Sequence, residues 1–158
     1  MNKLTDETKD FQPYILKRLA ENDYEIRDQS EYDRKFAIDR DALFRFLYAT
    51  QPESMAKLEK IFKGETRETV VAAINAEENG KNGSRVGVLK KGVTLLNIHL
   101  DLSYYKPTST INQKAQKLYQ SNIFSVMKEV YASDEERIDL VVFLNGLAIF
   151  AFELKSET

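Results

Sequence analysis

The chain has 158 residues, of which 42% are hydrophobic and 30% charged, as is usual for one globular domain. No apolar run approaches the ~20 residues that cross a bilayer, and the N-terminus lacks the apolar core of a secretion signal. We therefore expect a cytoplasmic protein without a membrane partner. The absence of cysteine excludes disulfides and thiolate metal sites, and a formal charge of −2 gives no overall basic field for nucleic acid.

The first half of the sequence predicts four helices. In the first of them, Phe11, Ile15, Leu16 and Leu19 recur at helical spacing. Apolar stripes with start and stop signals predict three more, in "DRDALFRFLYATQ", "PESMAKLEKIF" and "ETRETVVAAINAEEN". The polar segment 23–38 has no clear pattern.

The second half changes to the two-residue periodicity of strands. The glycine- and lysine-rich "GKNGSRVGVLKKGV" predicts a loop leading into a short strand, and Leu96, Ile98, Leu100 and Leu102 alternate with polar residues as in a half-buried strand. "NIFSVMKEVYAS" predicts another strand, although its spacing also suits a helix. These elements predict one α+β domain, residues 1–158, with a helical part over about 1–80 and a mainly antiparallel sheet over about 84–158.

The last predicted hairpin, "RIDLVVFLNGLAIFAFELK", contains charged residues in strands that otherwise resemble buried core. The Asn145-Gly146 pair between two apolar runs is the strongest short signal for a hairpin turn. Strands that are apolar on both faces lie centrally in a sheet, where Asp139, Glu153 and Lys155 are costly unless they are paired or bound to a metal.

The register of this hairpin decides whether its charges meet. A two-residue loop would place Asp139 and Glu153 on opposite faces of the sheet. A three-residue loop with a left-handed Gly146 would pair Asp139 with Ala151 and bring Glu153 onto the same face, with Lys155 further along it. We therefore predict an odd-length loop or a bulge.

Two converging carboxylates suit a Mg²⁺ ion, which binds one or two carboxylates together with water and substrate phosphates. The ion would polarise a phosphodiester and help to ionise water, while the ammonium group of Lys155 would orient that water or neutralise the phosphate. From these residues alone a second interpretation stays open, because acids and lysines are also common at strand ends and sheet edges.

The segment "IDLVVFLNGLAIFAFELK" resembles the nuclease hairpin of the restriction (motor) subunit of type I restriction enzymes, which carries a PD-(D/E)XK motif. A second segment, "DRKFAIDRDALFRFLYATQPESMAKLEKIF", resembles that family's aromatic- and leucine-rich helix followed by Thr-Gln-Pro. The resemblance implies a PD-(D/E)XK core and a Mg²⁺-dependent, site-specific deoxyribonuclease. It assigns catalysis to Asp139, Glu153 and Lys155, and metal binding to Asp139, Glu153 and the backbone carbonyl of Leu154. Ile138 stands where the motif has proline.

The resemblance also implies partners: double-stranded DNA and the methylase and specificity subunits of a restriction complex. ATP would bind only to downstream motor domains, since no Gly-x-x-x-x-Gly-Lys-Ser/Thr loop occurs here. We expect an N-terminal fragment of a larger protein, with its sheet truncated at the C-terminus and little or no activity alone. The alternatives are a degenerate nuclease fold that docks subunits or binds DNA without catalysis, and a stand-alone repair-type nuclease.

A basic cluster and one histidine complete the candidates. Lys81, Arg85, Lys90 and Lys91 belong either to a solvated loop or to a surface that contacts the DNA backbone. We expect His99, the only histidine, to be exposed rather than to bind a metal.

Overall fold

The structure is a computed structural model that describes residues 7–155. Its helices are α1 (Glu7–Ala20), α2 (Arg40–Thr50), α3 (Pro52–Phe62), α4 (Thr66–Glu78), α5 (Arg85–Lys91) and α6 (Gln113–Gln120), with a 3-10 turn at Lys63–Glu65. Its strands are β1 (Glu25–Arg27), β2 (Tyr32–Asp33), β3 (Ile38–Asp39), β4 (Val93–Leu95), β5 (Ile98–Leu100), β6 (Phe124–Tyr131), β7 (Arg137–Leu144) and β8 (Leu147–Phe152). The α+β class is confirmed.

The four helices predicted in the first half are confirmed as α1 to α4. Each has the apolar stripe that its sequence predicts: Leu43 and Leu47 of α2 and Leu58 of α3 are fully buried. Pro52 occupies the first turn of α3, where its missing N–H has no helical partner to lose.

Other predictions from the second half are wrong. The glycine- and lysine-rich segment forms helix α5, whose N-terminus is capped by the Ser84 hydroxyl accepting from Gly87 N–H at 2.9 Å. The single alternating strand predicted from Leu96 to Leu102 is instead the β4–β5 hairpin, which turns at Leu96 and Asn97. Both residues have positive φ, 45° and 68°, so the chain reverses where the alternation predicted continuous strand.

The division at about residue 80 into a helical part and a sheet part does not describe the chain. Strands β1 to β3 precede that point, and helices α5 and α6 follow it. By contact density the chain divides into two compact units, Met1–Asp39 with Ile123–Thr158, and Arg40–Asn122. The first contains α1 and the larger sheet, and the second contains α2 to α6 and the β4–β5 hairpin.

The larger sheet has six strands in the order β1-β6-β7-β8-β3-β2. Strand β1 pairs with β6 in parallel, and every other neighbouring pair is antiparallel. The predicted mainly antiparallel sheet is therefore confirmed, and "NIFSVMKEVYAS" is its strand β6. Strand β7 lies between β6 and β8, as expected for a run that is apolar on both faces.

Two apolar clusters cover the faces of this sheet. One contains Met127, Val130, Val141 and Phe143, with Tyr32 packed against them. The other is built around Val126, Leu140 and Val142, and the α1 side chains Ile15, Leu16 and Leu19 pack against it. Helix α1 is thereby fixed over the central strands β6 and β7.

The β7–β8 turn has two residues, Asn145 and Gly146, because Leu144 pairs directly with Leu147. Both turn residues have positive φ, 50° and 81°, as a type I′ turn requires. The buried Asn145 also accepts from Ile123 N–H at 2.6 Å through its side chain and donates its own N–H to Ile123 O at 2.8 Å. The predicted three-residue loop is wrong.

A bulge is nevertheless present, and it was the second of the two alternatives predicted, an odd-length loop or a bulge. Phe143 pairs with Ala148, whereas the next pair joins Val142 to Phe150. Ile149 is therefore an extra residue in β8, and the bulge lies within the strand rather than in the turn.

Candidate functional site

The bulge determines which residues meet at the open end of the β7–β8 hairpin. Beyond it, Val141 pairs with Ala151 and Leu140 with Phe152, so the predicted pairing of Ala151 with Asp139 is wrong. Continuing this register by one residue sets Glu153 opposite Asp139. Directly opposite residues in an antiparallel pair project from the same face.

A hydrogen bond fixes Asp139 against the segment that follows β8. Its carboxylate Oδ2 accepts from the backbone N–H of Leu154 at 2.7 Å. Asp139 and Leu154 are half-buried, whereas Glu153 and Lys155 are exposed. The structure thus brings Asp139 into contact with the middle residue of the Glu-Leu-Lys sequence.

The carboxylate of Asp139 can accept further hydrogen bonds. Among the described residues, no hydrogen-bond donor reaches its Oδ1 atom, and neither Glu153 nor Lys155 forms an ion pair with another described side chain. No group of three or more histidine, aspartate or glutamate side chains in the described ranges could hold a metal ion. A metal here would therefore depend on two carboxylates and backbone oxygen.

Gln12 of helix α1 also reaches this site and is not among the residues predicted from the sequence. Its side-chain Nε2 donates to the backbone carbonyl of Asp139 at 3.0 Å. The signal was present: Gln12 occupies the apolar stripe of α1 at helical spacing from Ile15, Leu16 and Leu19. A polar residue in that stripe indicates a specific partner beneath the helix.

The four residues of the basic cluster, for which a solvated loop and a DNA-backbone contact were both open, differ in their surroundings. Arg85 forms an ion pair with Glu78, with Nη2 and Oε2 3.0 Å apart, and so braces the loop between α4 and α5. Lys81, Lys90 and Lys91 are exposed. Lys81 and Lys91 line one polar cleft of about 320 Å³.

His99 lies on the exposed side of strand β5, as predicted. Its Nδ1 is 3.0 Å from the hydroxyl of Thr94, its cross-strand partner, and its Nε2 is 3.4 Å from Oδ1 of Asp101. These contacts are those of a surface histidine on a hairpin.

The Thr-Gln-Pro sequence, where α2 ends and α3 begins, has a structural role. The Gln51 amide accepts from Asp101 N–H at 2.7 Å and donates to Asp101 O at 2.8 Å, so it pairs with that residue as a neighbouring strand would. Gln51 thus anchors the end of the β4–β5 hairpin to the start of α3.

Nearby, burial raises the pKa of the Tyr104 hydroxyl, and the ring of this residue packs with its centroid 5.7 Å from that of Phe46.

Comparison with known families identifies a match over nearly the whole chain. The family model described as the type I restriction enzyme R protein N terminus matches residues 6–158. No curated protein and no solved structure is significantly similar to the chain. None of the helices in the described part of the chain has the length and apolar character needed to cross a membrane.

Proposed function

This chain belongs to the family of type I restriction enzyme R protein N termini, and on that premise we propose that it is the nuclease domain of such an R subunit. It would hydrolyse DNA phosphodiesters in a Mg²⁺-dependent reaction on a PD-(D/E)XK core. The observation that carries the proposal is the 2.7 Å hydrogen bond from Leu154 N–H to Asp139, which joins the first acid of the motif to its Glu-Leu-Lys segment.

The donor set fits a hard divalent cation. Asp139, Glu153 and the Leu154 carbonyl offer only oxygen atoms, which are the ligands that Mg²⁺ prefers. One oxygen of Asp139 is held by Leu154 N–H, and the other meets no described donor. When bound, the ion would polarise the scissile phosphate and lower the pKa of a water molecule.

The chain's own residues would orient the substrate and balance its charge. Leu154 packs with the apolar cluster beneath α1, so the residues on either side of it are anchored although their side chains are exposed. The ammonium group of the exposed Lys155 would approach a phosphate and stabilise the charge that develops during hydrolysis. Asp139 and Glu153 would hold the metal on the opposite side of the reacting group.

The partners are part of the same proposal. The substrate would be double-stranded DNA, delivered in a complex with the methylase and specificity subunits. ATP would be used by motor domains elsewhere in the R protein, and the exposed Lys81, Lys90 and Lys91 would contact the DNA backbone. The exposed charges of the basic cluster favour a sequence-independent contact, since lysine binds phosphate as a point charge.

A second candidate, subunit docking without catalysis, is favoured by one observation. Phe150 and Phe152 of β8 are 61% and 48% exposed, and they border an apolar cavity of about 330 Å³. Exposed aromatic side chains next to an apolar cavity are typical of protein interfaces.

The test is plasmid cleavage by the complete restriction complex carrying Asp139→Asn or Lys155→Ala in the R protein. We expect cleavage to fall by about 100-fold or more while ATP turnover persists, because only the nuclease step is affected. Asp134→Asn is the control, since Asp134 is exposed in the turn before β7. Cleavage at the wild-type rate by Asp139→Asn would overturn the nuclease assignment and leave docking as the function.

A further inference from the structure

Asp139 lies where the pairing of β7 is interrupted toward β6 and has ended toward β8. Toward β6, Lys128 pairs with Leu140 and Val130 with Ile138, but no pair joins the residues between them. Glu129, the residue opposite Asp139, has a left-handed φ of 55°. Toward β8, the last pair of the ladder is Leu140 with Phe152. Asp139 is therefore not fixed by a ladder pair of either neighbouring strand.

Helix α1 supplies the missing restraint. The half-buried Gln12 donates to the Asp139 carbonyl at 3.0 Å. The helix itself is anchored by Ile15, Leu16 and Leu19, which pack against the sheet. Fixing a carbonyl orients the peptide plane next to the Cα atom, and so restrains the direction in which the side chain leaves the strand.

We infer that Gln12 is a positioning residue for the proposed metal site: it holds the backbone of Asp139 so that the carboxylate meets Leu154 and faces Glu153. This inference rests on the proposed nuclease function. In this role Gln12 is not a metal ligand; it acts through its bond to the Asp139 carbonyl. Outer residues that orient metal ligands commonly contribute 10–100-fold to metal affinity, which is about the effect expected here.

The chain offers a matched control for the same kind of bond. Gln29 donates its Nε2 to the carbonyl of Glu129 at 2.7 Å, and more weakly to that of Lys128 at 3.4 Å, on the neighbouring strand β6. Like Gln12, Gln29 is a glutamine that donates to a backbone carbonyl next to the interrupted β6–β7 pairing, but it does not contact Asp139. Gln12→Met removes the bond to the Asp139 carbonyl and Gln29→Met removes the bonds to β6, while methionine keeps the length of the side chain and the absence of charge.

The experiment titrates the full-length R protein with Mn²⁺ alone, without nucleotide, and measures free Mn²⁺ by electron paramagnetic resonance. The Asp139→Asn variant identifies the part of the binding that belongs to this site. We expect Gln12→Met to weaken that part by about tenfold and Gln29→Met to leave it unchanged, while urea unfolding reports the stability of both variants. In the complete complex, excess Mg²⁺ should restore cleavage by Gln12→Met but not by Asp139→Asn.

The possible outcomes distinguish a failure of the role inferred for Gln12 from a failure of the proposed nuclease function. If wild type and Asp139→Asn bind Mn²⁺ alike, the proposed metal site fails and the role of Gln12 fails with it. If Asp139→Asn loses binding while Gln12→Met keeps wild-type affinity, only the role of Gln12 is overturned. Equal weakening by Gln12→Met and Gln29→Met would also overturn it, because the cause would then be a general loss of sheet order. Should Gln12→Met fail to fold, Gln12→Asn, whose shorter amide cannot span the bond, takes its place.

Discussion

Two hairpins of this chain, β4–β5 and β7–β8, reverse through the same kind of turn and differ in the regularity of their strand pairing. Both turns have two residues with positive φ, Leu96 and Asn97 in one, Asn145 and Gly146 in the other. The β4–β5 ladder is regular, whereas the β7–β8 ladder shifts by one residue at Ile149. The first turn is exposed and the second is buried.

The difference shows how one extra residue can align charges at the end of a strand. In a regular ladder the Asn-Gly turn would set Asp139 opposite Phe152. The bulge moves the register by one, so that continuing the observed pairs by one residue sets Glu153 opposite Asp139. The β7–β8 hairpin thus keeps a tight, buried turn and still directs two acids to one end of the sheet.

The largest expected effect comes from breaking that alignment. An alanine inserted between Phe152 and Glu153 leaves every observed pair in place but moves Glu153 one residue further and onto the opposite face. Plasmid cleavage by the complete complex should fall by about 100-fold or more, as when a catalytic group is removed.

The matched control inserts an alanine after Lys155, which leaves Asp139, Glu153 and Lys155 in register. It should cleave at nearly the wild-type rate. Full activity of the first insertion would show that the alignment of Glu153 with Asp139 is not needed.

A smaller effect is expected from the turns themselves. Asn145→Gly keeps the left-handed turn but removes the buried Asn145 side chain that accepts from the half-buried Ile123 N–H, and should lower the free energy of unfolding by about 1–3 kcal/mol. Asn97→Gly, in the exposed turn, should have little effect because glycine adopts positive φ without strain. Chemical denaturation of the full-length protein measures both. If both variants lost the same free energy of unfolding, the bond to Ile123 would add nothing to the stability of the buried turn.

The parts of the fold that the sequence predicted are those determined by local pattern. Helices α1 to α4 have apolar stripes several turns long, and α3 has Pro52 in its first turn. Helix α5 was missed because its seven residues include Gly87 and come after a glycine-rich loop. The β4–β5 turn was missed because Leu96 is not a typical turn residue, although its φ is 45°.

The candidate site was predictable in its residues but not in its geometry. The acids and lysine near Asn145-Gly146 stand out because charges are rare in buried strands. The position of the bulge cannot be read from local pattern, because Ile149 is as apolar as its neighbours and the shift depends on pairing across the sheet. The contact of Gln12 with Asp139 joins residues far apart in sequence, so only a polar residue in an apolar stripe indicated it.

The central claim is that strand β7 and the segment after β8 share one divalent cation. The most direct measurement is Fe²⁺-directed cleavage of the polypeptide, in which iron replaces Mg²⁺ in the full-length R protein and ascorbate with peroxide cuts the chain beside the bound ion. We predict two cuts, one at Asp139 and one within residues 153–155, both suppressed by excess Mg²⁺. A cut at only one of these segments, or cuts there that Mg²⁺ does not suppress, would contradict the account.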